Sequence, residues 1–217
     1  MSYALNVKTL YEGCYLASIS CAVMSAKFPE LSFEHSWDGT SYSVQDGFGS
    51  RGTVTFQNDV CVCALRSDNS ERLSHFIPYT YYFENCPVQN FRLAEEETLQ
   101  YLLDESNGEI LPVITACFWN NGNELESNDS WKDIFSNGGD ILIPQLSSFE
   151  VCLEHWKNYY GMNKAELNLV VKLFKEKVSN PQQDIKLTDD VEILSKYGLE
   201  GFKEAKELLE GMCIYVD

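Results

Sequence analysis

Lysine is missing from a long part of this chain, with none between Lys27 and Lys132. That gap removes the strand lysine with which a kinase-like site grips phosphates. Histidine is scarce, three in 217 residues, and leaves little for acid–base chemistry. No apolar run approaches the roughly eighteen residues of a membrane span. The sequence has no G-x-S-x-G elbow, no H-E-x-x-H, no HRD or DFG, and no second cysteine pair beside Cys61-x-Cys63. Positive charge is short throughout. Sixteen Lys and Arg stand against thirty-three acids, for a net −17. Such a field repels nucleic acid and anionic membranes, attracts basic partners, and also keeps a chain soluble.

What is present is ordinary for a folded protein: 44% hydrophobic and 23% charged residues. The eight cysteines (Cys14, Cys21, Cys61, Cys63, Cys86, Cys117, Cys152 and Cys213) fall mostly inside hydrophobic patterns, where a free thiol behaves as a small apolar residue. The apolar run from Cys14 to Ala26 carries three serines and follows Glu12, unlike an export signal. The expectation is a cytoplasmic chain with reduced thiols.

The organising stretch is Ser32 to Arg66. Phe33, His35 and Trp37 alternate with polar residues, as do Tyr42 and Val44, with Asp38-Gly39 between them. Thr53–Phe56 and Val60–Leu65 repeat the pattern around Gln57-Asn58-Asp59. Period two and turn residues at the joints predict four consecutive antiparallel strands, the first pair closed by a type I′ turn at Asp38-Gly39. Before them, apolar residues at spacings of three and four from Val7 to Phe28 predict a long, mostly buried helix over Tyr3 to Lys27, ended by Pro29.

After the meander, Ile77–Phe83 is predicted as a fifth strand, and Arg92–Glu105 as a helix with Glu95-Glu96-Glu97 in its first turns. Leu111–Trp119 reads as a central strand, Asn120–Ser130 as a polar loop, Trp131–Phe135 as a short helix and Ile141–Ile143 as a buried strand. From Ser147 the texture turns helical. Ser147 with Glu150 and Asn163 with Glu166 are capping-box patterns, Thr188 is read as a further cap, Glu200–Glu210 as the last helix and Cys213–Val216 as a terminal strand. The resulting expectation is one α+β domain over 1–217. Residues 1–146 form a long N-terminal helix packed on a mainly antiparallel β-meander sheet, and 147–217 a helical C-terminal layer.

Few signals point to chemistry. Gly47-Phe48-Gly49-Ser50-Arg51-Gly52-Thr53-Val54 matches the glycine-rich loop of kinases, but none of its partner motifs follows, so a flexible hairpin connection is the better reading. Cys61 and Cys63, even with His35 or His75, lack the second ligand pair of a structural zinc site. No catalytic residue, metal or cofactor is therefore assigned. The distribution of charge stands out instead. Glu95 to Asp133 holds ten acids against Lys132 alone.

Trp37-Asp38-Gly39-x-x-Tyr42, then Gly49-x-x-Gly52-Thr53-Val54-Thr55-Phe56, then Cys61 to Arg66, resemble stretches of uncharacterised bacterial proteins, some similar to the immunity proteins that accompany polymorphic toxins. The resemblance spans about 35 residues and carries no functional position. It implies a bacterial cytosolic protein. With the charge, it gives an expectation of a binding protein, concretely an immunity-type inhibitor of a basic toxin or nuclease. Glu124, Glu126, Asp129, Asp133, Tyr79 and Tyr81 are its candidate contact residues. The alternative is an enzyme with a pocket beside the Asn120–Ser130 loop. Neither nucleic acid nor membrane is an expected partner.

Overall fold

The computed structural model describes residues 3–75, 77–106 and 108–216. The chain divides into two compact units. The first is Met1–Ala4, Thr9–Gly39 and Pro144–Asp217; the second is Leu5–Lys8 and Thr40–Ile143. In chain order, helix α1 (Val7–Ser25) is followed by strands β1 (His35–Asp38), β2 (Ser41–Gln45), β3 (Ser50–Gln57) and β4 (Val60–Ser67). Helices α2 (Tyr79–Tyr82) and α3 (Val88–Glu96) lead through a 3-10 turn at Thr98–Leu102 into β5 (Leu103–Ser106) and β6 (Glu109–Pro112). Next come β7 (Ala116–Asn121), β8 (Glu124–Glu126) and α4 (Trp131–Ser136). The remainder is α5 (Phe149–Tyr160), α6 (Lys164–Ser179), β9 (Ile185–Leu187), α7 (Val191–Ser195), α8 (Leu199–Gly211) and β10 (Ile214–Val216). The fold is α+β, with an N-terminal helix and a mainly antiparallel six-stranded sheet in the order β1-β2-β3-β4-β7-β8. Among the described residues no helix is long and apolar enough to cross a membrane.

The meander is formed as the alternation predicts, with one change at its first turn. Asp38 remains in β1, and Gly39-Thr40 make the two-residue connection. Gly39 has φ +58° and Thr40 is not in the left-handed region, the sign pattern of type II′ and not type I′. Nothing lies within 4 Å of a Cβ placed on Gly39, so only its backbone angle demands glycine. Gly39→Val should therefore cost about 1–2 kcal/mol, seen as a lower urea midpoint, because a β-branched residue resists φ > 0. A midpoint equal to the parent's would refute this account of the turn.

In the second unit, one face of the sheet presents Val62, Ala64, Cys117 and Trp119 to Tyr82, Phe83, Leu93, Ala94, Leu99 and Leu102, all buried. Two asparagines pin α3 to the strands. Asn90 Nδ2 donates to Asn120 Oδ1 at 2.9 Å, and that oxygen also accepts from Cys61 N at 2.7 Å. The outer edge of β8 is covered by the chain's start. Leu125 N donates to Leu5 O at 3.0 Å, Val7 N donates to Asn123 O at 2.9 Å, and Asn6 bridges Glu124.

In the first unit, α1 buries residues all round its circumference, from Leu10 to Ser25. Asn163 caps α6, accepting from Ala165 N and Glu166 N, while the Glu166 carboxylate returns to Asn163 N at 2.8 Å. Gly161 ends α5 at φ +61°. The terminal strand β10 pairs in parallel with β9.

Several sequence expectations give way. Ile77–Phe83 is not a strand, because Pro78 lies at the N-cap of α2 and the tyrosines wind into a turn. Arg92–Glu105 is not one helix: α3 starts four residues earlier and ends at Glu96, and Leu103–Ser106 pair with β6. Glu95 and Glu96 thus sit at the helix C-terminus, the unfavourable end for acids. Leu111–Trp119 is divided between two sheets, with Pro112, which has no amide to donate, closing the first piece. The Asn120–Ser130 loop is largely the β7–β8 hairpin. Ile141–Ile143 belongs to a 3-10 turn that folds tightly onto α4, since a Cβ on Gly139 would lie 2.6 Å from Ile134 Cγ2. Ser148, not Ser147, is the N-cap of α5 and makes no side-chain cap bond, and Asp190 rather than Thr188 precedes α7.

Candidate functional site

The second unit carries sixteen acids against six Lys and Arg, a net −10 of the −17 total. The expected contact residues divide by role. Glu124 and Glu126 project from β8 on either side of buried Leu125, and both are exposed. Glu126 accepts a hydrogen bond from Asn121 Nδ2 at 3.0 Å. Tyr81 is 60% exposed on α2. It lies near the end of β8 because Asn128 Nδ2 donates to Tyr82 O at 3.1 Å and Asn85 Nδ2 donates to Asn128 Oδ1 at 2.9 Å. Exposed Glu84 sits in the same turn.

Asp129 and Asp133 are engaged elsewhere. Arg72 grips Asp129 with two parallel bonds, Nη1 to Oδ2 at 2.6 Å and Nη2 to Oδ1 at 3.0 Å, while its Nη1 also donates to Thr115 O at 2.8 Å. Asp133 accepts from Ser130 Oγ at 2.6 Å in the first turn of α4. Tyr79 turns inward and donates to Glu95 at 3.2 Å.

A cavity of about 320 Å³ opens in this unit, lined by Arg66, Arg72, Tyr79, Asp104 and Glu105 over an apolar wall of Leu73, Ile77, Pro78 and Leu111–Ile114. No residue of the Asn120–Ser130 stretch lines it, although Asp129 of that stretch pairs with Arg72 of its wall. Its polar end is built from cross-strand register. Arg51 and Arg66 stand opposite each other on β3 and β4. Arg66 Nη1 pairs with Asp104, Arg66 Nε donates to Asp68 at 2.9 Å, and Arg51 approaches Asp104 to 4.0 Å. The bond from Arg66 holds the Asp104 carboxyl below its usual range. The sequence reading assigns these arginines no site; the two-residue turn at Asn58-Asp59, one residue shorter than the expected Gln57-Asn58-Asp59 joint, sets Arg51 opposite Arg66.

Most of the chain's thiols are shielded, Cys213 being exposed. All eight cysteines are free. Burial pushes the Cys21 thiol up to about 11 and those of Cys86 and Cys152 to about 12, with Cys61 and Cys117 raised as well. Such thiols stay protonated at neutral pH and are poor nucleophiles. No group of three metal-ligating side chains occurs among the described residues. The kinase-like glycine loop is a β2–β3 connection with two of its amides already used: Asp46 Oδ1 accepts from Phe48 N at 2.7 Å and Ser50 N at 3.0 Å. A carboxylate in that position repels phosphate.

Compared with protein-family models, curated protein sequences and solved structures, the chain finds no significant match in any of the three.

Proposed function

We propose that this chain is a binding protein for a basic partner, an immunity-type inhibitor of a toxin or nuclease, and that the acidic edge of its second unit is the docking face. The carrying observation is exposed Glu124 and Glu126 on β8 and exposed Tyr81 and Glu84 in the turn that Asn128, just after β8, ties down, with no Lys or Arg paired to these acids among the described residues. Unpaired exposed carboxylates attract a basic surface at long range and raise the association rate. An exposed tyrosine among them supplies the apolar contact that slows dissociation. Asp129 and Asp133 are left out of this face because their carboxylates are committed to Arg72 and to the start of α4.

The test is kinetic, using a partner recovered from the source cells. Replacing Glu84, Glu124 and Glu126 with Gln should slow association several-fold at low salt, and less at physiological salt, where charges are screened over about 8 Å. Tyr81→Ala should act mainly on dissociation. Stability should hardly move for either variant, whereas Asp129→Asn should cost about 1–2 kcal/mol by breaking the Arg72 pair. A triple variant that associates as fast as the parent at low salt would reduce the acidic edge to a solubility feature.

A further inference from the structure

The cavity holds charges of both signs that the docking face does not use. We propose that it binds a free apolar α-amino acid as the zwitterion, with the carboxylate on Arg72, the ammonium on Glu105, and the side chain against Ile77, Leu111, Val113 and Ile114.

Four observations carry this. The volume, about 320 Å³, lies at the small end of the range for ligand sites, and most of the wall is apolar. Arg72 has donors to spare. Both Nη1 hydrogens and one on Nη2 go to Asp129 and Thr115, which leaves Nε–H and the second Nη2–H without an acceptor of ordinary geometry among the described residues. These two point along one edge of the guanidinium, the parallel fork that receives a carboxylate. Beside them the Tyr82 ring lies 5.6 Å from the guanidinium carbon, and its buried hydroxyl also lacks a partner of ordinary geometry. Finally, Glu105 is one of the lining residues and its carboxylate has no hydrogen-bond or ion-pair partner among the described residues, while Asp104 next to it is already paired.

Charge decides between ligand classes. A simple anion would enter a unit of net −10, toward arginines already neutralised by Asp68, Asp104 and Asp129. A simple cation would meet two guanidinium groups. A zwitterion is neutral overall and satisfies a donor fork and a carboxylate at once, so it avoids both penalties. The chain spends its arginines accordingly: Arg51, Arg66 and Arg72 are three of its four, all gathered at this end of the sheet.

Calorimetric titration of the whole chain tests the proposal with L-leucine and L-phenylalanine, beside 3-phenylpropanoate and 2-phenylethylamine, which each keep one charge only. At least one amino acid should bind, and the single-charge analogues should bind about tenfold more weakly or not at all. Glu105→Gln, at an exposed position that leaves folding intact, should weaken amino-acid binding about tenfold. Arg72→Gln should do the same, with circular dichroism confirming the fold. The proposal fails if neither amino acid binds folded protein, if either analogue binds as well as L-phenylalanine, or if Glu105→Gln leaves the affinity unchanged.

Discussion

Gly201→Val should destabilise the chain by about 3 kcal/mol or more, enough to move a urea midpoint far outside error. Gly201 lies in the first turn of α8, where a Cβ would stand 2.1 Å from Ala26 O, 2.7 Å from Ala26 C and 3.0 Å from Ser25 O. All three atoms are backbone at the end of α1 or one residue past it, and backbone cannot swing aside as a side-chain tip can. The same holds at Gly13 in the middle of α1, whose Cβ would meet Gln145 O at 2.2 Å and Gln145 Cα at 2.6 Å. Both sites lie within the first unit, so Gly13→Val should cost as much. Exposed Glu200→Val, one residue from Gly201, is the control and should stay within about 0.5 kcal/mol of the parent. If Gly201→Val matched that control, α1 and α8 would not approach as closely as described.

Acid should weaken the first unit from about pH 6.5 downward. His35 is buried, edge-on to Trp156 at 4.8 Å, and burial, helped by nearby His155, pushes its pKa down to about 3. In the unfolded chain it titrates near 6.5. Between those values the unfolded state binds a proton that the native state refuses. The contribution of neutral His35 is therefore complete above about pH 6.5 and lost as pH falls toward 3. The slope approaches about 1.4 kcal/mol per pH unit, or about 2 kcal/mol between pH 6.5 and 5. His155 is shifted the same way by burial and adds to the loss. Urea melts across that range should show the slope in the parent and a much flatter one in His35→Gln. An equally steep line for the variant would place the proton on another group.

The parts of the fold legible in the sequence are those that local chemistry decides. The meander follows from side-chain alternation in Ser32–Arg66, and the α6 capping box from Asn163 and Glu166 alone. Misreadings arose where distant contacts override propensity. Tyr79–Phe83 has strand-like composition, yet Pro78 starts a helical turn there, and Asn128 fixes its end from forty-six residues away in the chain. Leu103–Ser106 continues a helical pattern, but pairing with Glu109–Pro112 and the grip of Arg66 on Asp104 make it a strand. The candidate site was half visible for the same reason. Glu124 and Glu126 could be read directly as an acidic pair, whereas the commitment of Asp129 depends on Arg72, fifty-seven residues earlier.

The division of the chain has a consequence for the order in which it is made. Leu5–Lys8 belong to one unit and Thr9–Gly39 to the other, whose remaining part begins only at Pro144. A ribosome therefore completes the second unit while α1 still waits for the C-terminal helices of its own. Leu5 and Val7 find their hydrogen-bond partners only once Asn123–Leu125 have been synthesised. Neither unit is a contiguous segment, so no single cut releases one of them whole. Loss of the segment before Thr9 would take residues from both units, whereas loss of Pro144–Asp217 would take them from the first alone.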